Sequence, residues 1–235
     1  MLRWVTALCC FVCLPAYGQS SESPPGDTSI PSAQQTPPTT RGDTHILGVV
    51  PNFITVNDPT RPFQPISARQ KFRLAAQDAF DPFSWVVTGI YAGVEQWGNS
   101  YPGYGQGAAG YAKRYGAAFA DGVIGNFMTE AIFPAMLHQD PRYFRLGQGG
   151  KWKRIEYAMT RTMISRTDRG AWRFNTSEIA GNAAAAGIAN LYYPSGSRGL
   201  GDTMDKFAVN VLSDAGFNVL KEFWPDMRRK ILRKQ

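Results

Sequence analysis

Alanine or glycine returns every fourth residue along the longest helical pattern of this chain, at Ala108, Ala112, Gly116 and Ala120. Residues four apart share a helix face, so the pattern predicts a helix over 107–137 with one nearly smooth stripe. Small residues let two helix backbones approach closely, which places Gly116 and Ala120 at an expected helix–helix contact. Pro134 should kink or end this helix, because it lacks an N–H and its ring crowds the preceding turn.

Similar arguments apply along the rest of the chain. Ser67 followed by Gln70 is a capping-box pattern, and Phe72, Ala75, Ala76 and Ala79 then recur at helical spacing. Asp81-Pro82 starts a second helix, "PFSWVVTGIYAGVEQW", since proline is welcome at the first helical position. "KWKRIEYAMTRTMISRTD" puts Ile155, Met159 and Met163 on one side of a helix; the alternative is a hairpin strand turning across "RTDRGAW". Asn175 with Glu178 starts the small-residue helix "EIAGNAAAAGIANLYYP".

Further on, Met204, Phe207, Ala208, Val211, Leu212, Ala215 and Val219 form an apolar stripe expected to face the core. Trp224-Pro225 should break that helix and leave "PDMRRKILRKQ" as a short basic one. "HILGVVPNFITVND" reads as an extended segment on the core. The fold class that follows is all-α: a bundle of about six helices with Gly/Ala-rich packing faces, forming one domain over residues 45–235.

Ahead of that domain the composition changes twice. Arg3, the apolar run from Trp4 to Leu14 and the small residues of Ala16-Tyr17-Gly18 predict a signal peptide over residues 1–18, cleaved after Gly18. The run is short for a membrane span, which needs about 20 residues. Residues 19–44 are rich in Ser, Thr, Pro, Gln and Gly, a composition that buries too little apolar surface to order itself, so a disordered linker is expected.

Export narrows the chemistry. All three cysteines, Cys9, Cys10 and Cys13, lie in the predicted signal, so the mature chain has no thiol for a disulfide, a nucleophile or a thiolate metal site. Two histidines remain, His45 and His138, and no metal or other cofactor is expected. The net charge of +7 falls by one to +6 without Arg3, which suits anionic lipid or an envelope polyanion and, given export, not nucleic acid.

The motif search returns one concentrated cluster. Gly105-Gln106-Gly107-Ala108-Ala109-Gly110 matches the dinucleotide fingerprint in letters only, since no strand precedes it. "HQDPRYFR" is different. His138 can exchange a proton near neutrality, Asp140 can orient it, and Arg142 can hold a carboxylate or phosphate. The competing account is a structural corner. Asp140 would cap the backbone after Pro141, Arg142 and Arg145 would pair with Glu130 or Glu156, and Tyr143 and Phe144 would anchor the turn. The corner is favoured, because no second catalytic element accompanies the cluster. Asp121, Asn126 and Glu130 interrupt the long apolar helix and either line a polar pocket or mark its solvent side.

The blocks "YGQGAAGYAKRYGAAFADGVIGNFM", "LHQDPRYFRLGQGG", "NTSEIAGNAAAAGIANLYYP" and "EFWPDMRRKI" resemble an uncharacterised family of exported helical proteins from acidobacteria-like environmental bacteria. The resemblance covers about residues 46–232. It implies a compartment and a shared helical domain and assigns no catalytic residue.

Three functions are therefore expected in descending order. The first is a non-enzymatic scaffold or binding protein of the periplasm or cell envelope, peripheral to a membrane. Its anionic-surface contact would be Arg228, Arg229, Lys230, Arg233 and Lys234, beside Met227, Ile231 and Leu232. The second is an envelope hydrolase or transferase using His138, Asp140 and Arg142 on an anionic substrate. The third is a membrane-inserted helical protein, against which Asp121, Asn126 and Glu130 weigh.

Overall fold

A computed structural model describes residues 45–46, 50–51, 55–56 and 62–232, all within a compact unit spanning Thr39–Gln235. The signal peptide, the whole of the linker, Arg233 and Lys234 lie outside the described residues, as does the side chain of Arg228.

Six helices of ten or more residues dominate: α1 (Ala68–Ala79), α2 (Pro82–Trp97), α3 (Gly107–Asn126), α5 (Lys151–Thr160), α6 (Thr176–Ala189) and α7 (Leu200–Leu232). Their starts follow the local chemistry of the sequence. Ser67 and Gln70 form a reciprocal capping box, Asp81 accepts from Phe83 N at 2.9 Å, and Asn175 accepts from Glu178 N at 3.3 Å.

The chain is not purely helical. Short strands β1 (His45–Ile46) and β2 (Val50–Pro51) pair antiparallel, and β3 (Thr55–Val56) pairs parallel with β5 (Tyr143–Phe144). Strands β4 (Gln139–Asp140), β6 (Ile164–Thr167) and β7 (Trp172–Phe174) form a three-stranded antiparallel sheet in the order β4-β6-β7. Both readings of "KWKRIEYAMTRTMISRTD" are thus half right: α5 stops at Thr160, and Ile164–Thr167, with a β-branched residue at each end, enters a hairpin closed by Gly170 at φ +84°.

Pro134 acts earlier than expected. Helix α3 widens at Phe127–Ile132 into a π-helical turn, in which Phe133 N donates to Met128 O, before the short α4 (Phe133–Met136). The wider turn accommodates a proline that an α-helix would reject.

Pro225 does not break α7. In the turn it opens, the Glu222 carbonyl accepts from Arg145 Nε at 2.7 Å and Arg154 Nη2 at 2.6 Å, and Asp226 pairs with both arginines. Two guanidinium groups clamp the helix across the disruption, so it continues to Leu232.

The small-residue contact is also relocated. A Cβ at Gly116 would meet open space, whereas one at Gly181 in α6 would lie 2.9 Å from Thr129 Cγ2 and 3.0 Å from the Met128 carbonyl carbon. Backbone-to-backbone approach therefore occurs between α6 and the π turn, with Gly110, Arg114 and Ala117 as the buried face of α3.

Packing follows an inverted polarity. Among the described residues the buried apolar side chains are mostly alanines, joined by Pro134, Tyr143, Tyr193 and Trp224, while the largest fully buried side chains include Arg114, Lys71, Glu222 and Asp140. Met204 and Leu212, expected inside, are 50% and 58% exposed, and Asp214, Asn218, Lys221 and Glu222 occupy the interior side of α7.

Candidate functional site

The polar corner is built by the end of α4. After Leu137 the backbone turns through His138 at φ +53°, a left-handed conformation that ends the helix and directs β4 into the sheet. Asp140 is then fully buried, accepts from Arg142 N at 3.0 Å, and receives the guanidinium through Nε at 2.9 Å and Nη2 at 2.6 Å. Arg142 Nη2 also donates to Gln64 O at 2.6 Å. Arg142 therefore pairs with Asp140 and not with Glu130 or Glu156. Arg145 pairs with Asp226 instead.

His138 does not join them. Its side chain is 85% exposed, and Nδ1 lies 3.7 Å from Asp168 Oδ2, on a carboxylate already held by Lys71 Nζ at 2.7 Å. The structure brings Asp140 and Arg142 together and turns His138 toward a different partner.

Tyr143 and Arg145 lead from the corner to a second buried carboxylate, Glu222, of α7. Glu222, fully buried, accepts from Tyr143 Oη at 2.7 Å, Arg154 Nε at 2.8 Å, Leu146 N at 3.0 Å and Gly147 N at 2.9 Å. With every lone-pair direction occupied it serves as an internal buckle between the corner and α7.

Asp121 anchors a second node. Tyr192 Oη and Tyr193 Oη each donate to it at 2.5 Å, and Lys206 Nζ lies 3.8 Å from the Tyr193 ring centre. Burial raises the Asp121 pKa, and the tyrosine hydrogen bonds oppose that. Nearby Glu95 is pushed up to about 7, chiefly by burial and secondarily by the Asp121 charge.

Between the corner, α1, α3 and α7 lies a cavity of about 320 Å³, near the lower end of known small-molecule sites. One part of its wall is acidic: Asp78 from α1, Glu130 from the π turn, Glu178 from α6 and Asp214 from α7, with Lys221 among them. Asp78 and Glu130 share a hydrogen bond, as do Glu178 and Asp214. Burial drives the Glu130 and Glu178 carboxyls well above the usual carboxylate range, and the neighbouring acids Asp78 and Asp214 raise them further. Asn182 Nδ2 bridges Glu178 and Asp214 at 3.1 Å each. Glu130 Oε2 is buried without a hydrogen-bond partner.

A different part of the wall comes from β6 and the end of α5. Arg161 and Ser165 line it, and Arg161 Nε and Ser165 Oγ are both buried without hydrogen-bond partners. Asp140, Arg142 and Tyr143 of the corner complete the enclosure. Among the described residues no group of three or more His, Cys, Asp or Glu side chains is arranged to hold a metal ion.

Of the residues singled out in the sequence, Asn126 and Glu130 line this cavity and Asp121 faces the tyrosine node. All three mark the interior. Arg161, Ser165, Glu178 and Asp214 were missed: they come from four separate segments, and no local spacing connects them. In the basic tail, Arg229 donates to Asp226 Oδ1 at 2.8 Å and Lys230 is exposed.

The outer surface carries the remaining signal. On α2, Val86, Ile90, Val94 and Trp97 stand at i, i+4, i+8 and i+11 and are 59%, 64%, 59% and 89% exposed, with Val87 and Tyr91 beside them. The opposite side of the same helix buries Ala92 and Glu95. Comparison with family models, with curated proteins and with solved structures gives no match for this chain.

Proposed function

We propose that this chain is a non-enzymatic binding protein of the cell envelope that lies at a membrane surface through the outward face of α2. One observation carries the reading: α2 is turned inside out. It buries Glu95 and presents Val86, Ile90, Val94 and Trp97 outward. Burying a Val or Ile side chain is worth about 1.5–3 kcal/mol, so leaving a continuous stripe of them in water is unfavourable.

Lipid suits the pattern better than a protein core does. Tyr91 and Trp97 accompany the aliphatic residues, and aromatic rings of this kind collect at the membrane–water boundary. No helix among the described residues is long and apolar enough to cross a membrane, so α2 lies in one leaflet, its axis along the surface. The net charge of +7 favours an anionic surface, with Lys230 and the exposed guanidinium of Arg229 as cations of the terminal helix. The signal-like N-terminus and the small-residue composition support the envelope as the compartment.

Vesicle flotation tests this. The full chain and an Ile90→Asp/Val94→Asp variant are compared on phosphatidylglycerol-containing and neutral vesicles. Binding of the parent chain to anionic vesicles, with loss in the variant, is expected. Equal flotation by both chains, or a dimer in sedimentation velocity that shields Trp97 fluorescence, overturns the reading in favour of self-association.

A further inference from the structure

Two arginines beside the cavity have rings for neighbours and no acceptor. Arg161, just beyond α5, lines the cavity, and its guanidinium lies 4.5 Å from the Tyr157 ring centre and 4.4 Å from that of Trp172. Arg166, on β6, stands 4.6 Å from the same Trp172 ring centre and 4.6 Å from that of Phe144. Nε of each is buried without a hydrogen-bond partner, and among the described residues neither guanidinium forms an ion pair. Asp140 is in register with Arg166 across β4 and β6, but Arg142 occupies its carboxylate. Ser165, only 8% exposed, lines the cavity with a hydroxyl that also lacks a partner.

The two guanidinium groups also repel each other. Burial, joined by the Arg166 charge, pulls the Arg161 pKa down. Tyr157 and Tyr143 oppose this only as phenolates, and burial chiefly pushes both phenols above their ordinary value, so they are neutral at physiological pH. No carboxylate is among the charges that act on Arg161, so the acids elsewhere on the wall do not compensate it. Ring faces attract a guanidinium but accept none of its in-plane N–H groups. Water fills hydrogen bonds without neutralising charge. A fork of donors left in this state matches a carboxylate or a phosphate. The wall around it is apolar, with Phe144, Ile164 and Trp172. Val87, Trp172 and Phe217 line the cavity and are 38%, 41% and 46% exposed, so its rim reaches solvent.

We propose that this end of the cavity binds a small organic oxyanion, a carboxylate or phosphate carried on an apolar body. Arg161 grips the oxyanion and Ser165 donates its hydroxyl. Arg166, which does not line the cavity, supplies a second positive charge at longer range. The apolar body lies along Ile164, Phe144 and Trp172 toward the rim. A volume of about 320 Å³ is more than an inorganic ion fills. The cavity takes this ligand whether or not α2 lies on a membrane.

Titration calorimetry on the full chain, without membranes, tests this with hexanoate and hexyl phosphate as the anions. Hexanol and hexylamine keep the chain and change the head; inorganic phosphate keeps the head and drops the chain. Saturable binding of hexanoate or hexyl phosphate is expected, with hexanol and hexylamine weaker by about tenfold or more, the usual worth of a charged hydrogen bond. Arg161→Met should weaken binding of the anion by a similar factor. Arg166→Met and Ser165→Ala should each weaken it by less, since both leave the Arg161 fork in place. No saturable binding of either anion overturns the proposal. So does hexanol or hexylamine binding as tightly as the better anion, or an affinity unchanged in Arg161→Met. Inorganic phosphate binding as tightly as hexyl phosphate overturns it as well, since the site would then hold a free ion. The compound series on the parent chain decides the matter even where a variant fails to fold.

Discussion

Lys71 Nζ, 1% exposed on α1, lies 2.7 Å from Asp168 Oδ1 and 3.1 Å from the carbonyl of Pro134. One ammonium group thus ties α1 to the β6–β7 turn and to the helix end that carries the proline. Lys71→Met removes the charge and leaves both acceptors short of a donor. Asp168 is 24% exposed and regains some water, so the expected loss sits near the low end for a broken buried pair, about 3 kcal/mol. Urea unfolding of the two chains measures it.

Gly181 and Gly116 should respond in opposite directions. Gly181→Ala drives a methyl against Thr129 and the Met128 backbone and should cost about 1–3 kcal/mol by overpacking. Gly116→Ala adds a methyl to open space on α3 and should stabilise by up to about 1 kcal/mol through helix propensity. Thermal melts that place both variants on the same side of the parent chain contradict the packing described here.

Glu222→Gln keeps the size of the buckle and removes its charge. An amide NH₂ then faces either Arg154 and the Gly147 amide or Tyr143 and the Leu146 amide, and the arginine and both backbone amides are donors. The expected loss is about 3–5 kcal/mol, as for other buried pairs left with one partner. Near-ultraviolet circular dichroism should report loosened packing around Trp224 and Tyr143 before the helices melt.

Glu95 makes stability depend on pH. Its carboxyl titrates near 7 in the folded chain and near 4.5 when unfolded. Between those values the folded state holds a proton that the unfolded state has released. Stability contributed by this group is therefore fully present below about 4.5 and declines as pH rises toward 7. Glu95→Gln should remove this part of the slope and be relatively more stable at pH 8 than at pH 4. Denaturation curves at both pH values check the sign; an identical difference at the two pH values refutes it.

Helix starts were legible because capping is local. Ser67, Asp81 and Asn175 each satisfy an amide two or three residues away, and sequence spacing contains that information. The polarity of α7 was not legible. Its apolar stripe through Met204 and Leu212 looks core-facing by periodicity, yet the interior is stocked with arginine, lysine and carboxylate, and the polar side of α7 meets partners from distant segments. Pro225 was misread for a related reason. The groups that carry the helix past it, Arg145 and Arg154, lie some seventy to eighty positions earlier. At the candidate site, the corner's Asp140–Arg142 turn was visible as an Asp-Pro motif, whereas the Arg161 and Glu178 sides of the cavity meet only through tertiary folding.

The wide turn at Phe127–Ile132 works as a phase shifter. A π turn carries an extra residue, so every side chain beyond it is rotated by about 100° from where an unbroken α-helix would point it. Glu130 is set inside that turn, and Pro134 follows it into the interior with its carbonyl toward Lys71. Excising one residue there would restore a regular spiral while re-aiming the acid and the proline together, so the cavity's chemistry and the end of the helix share one switchable reading frame.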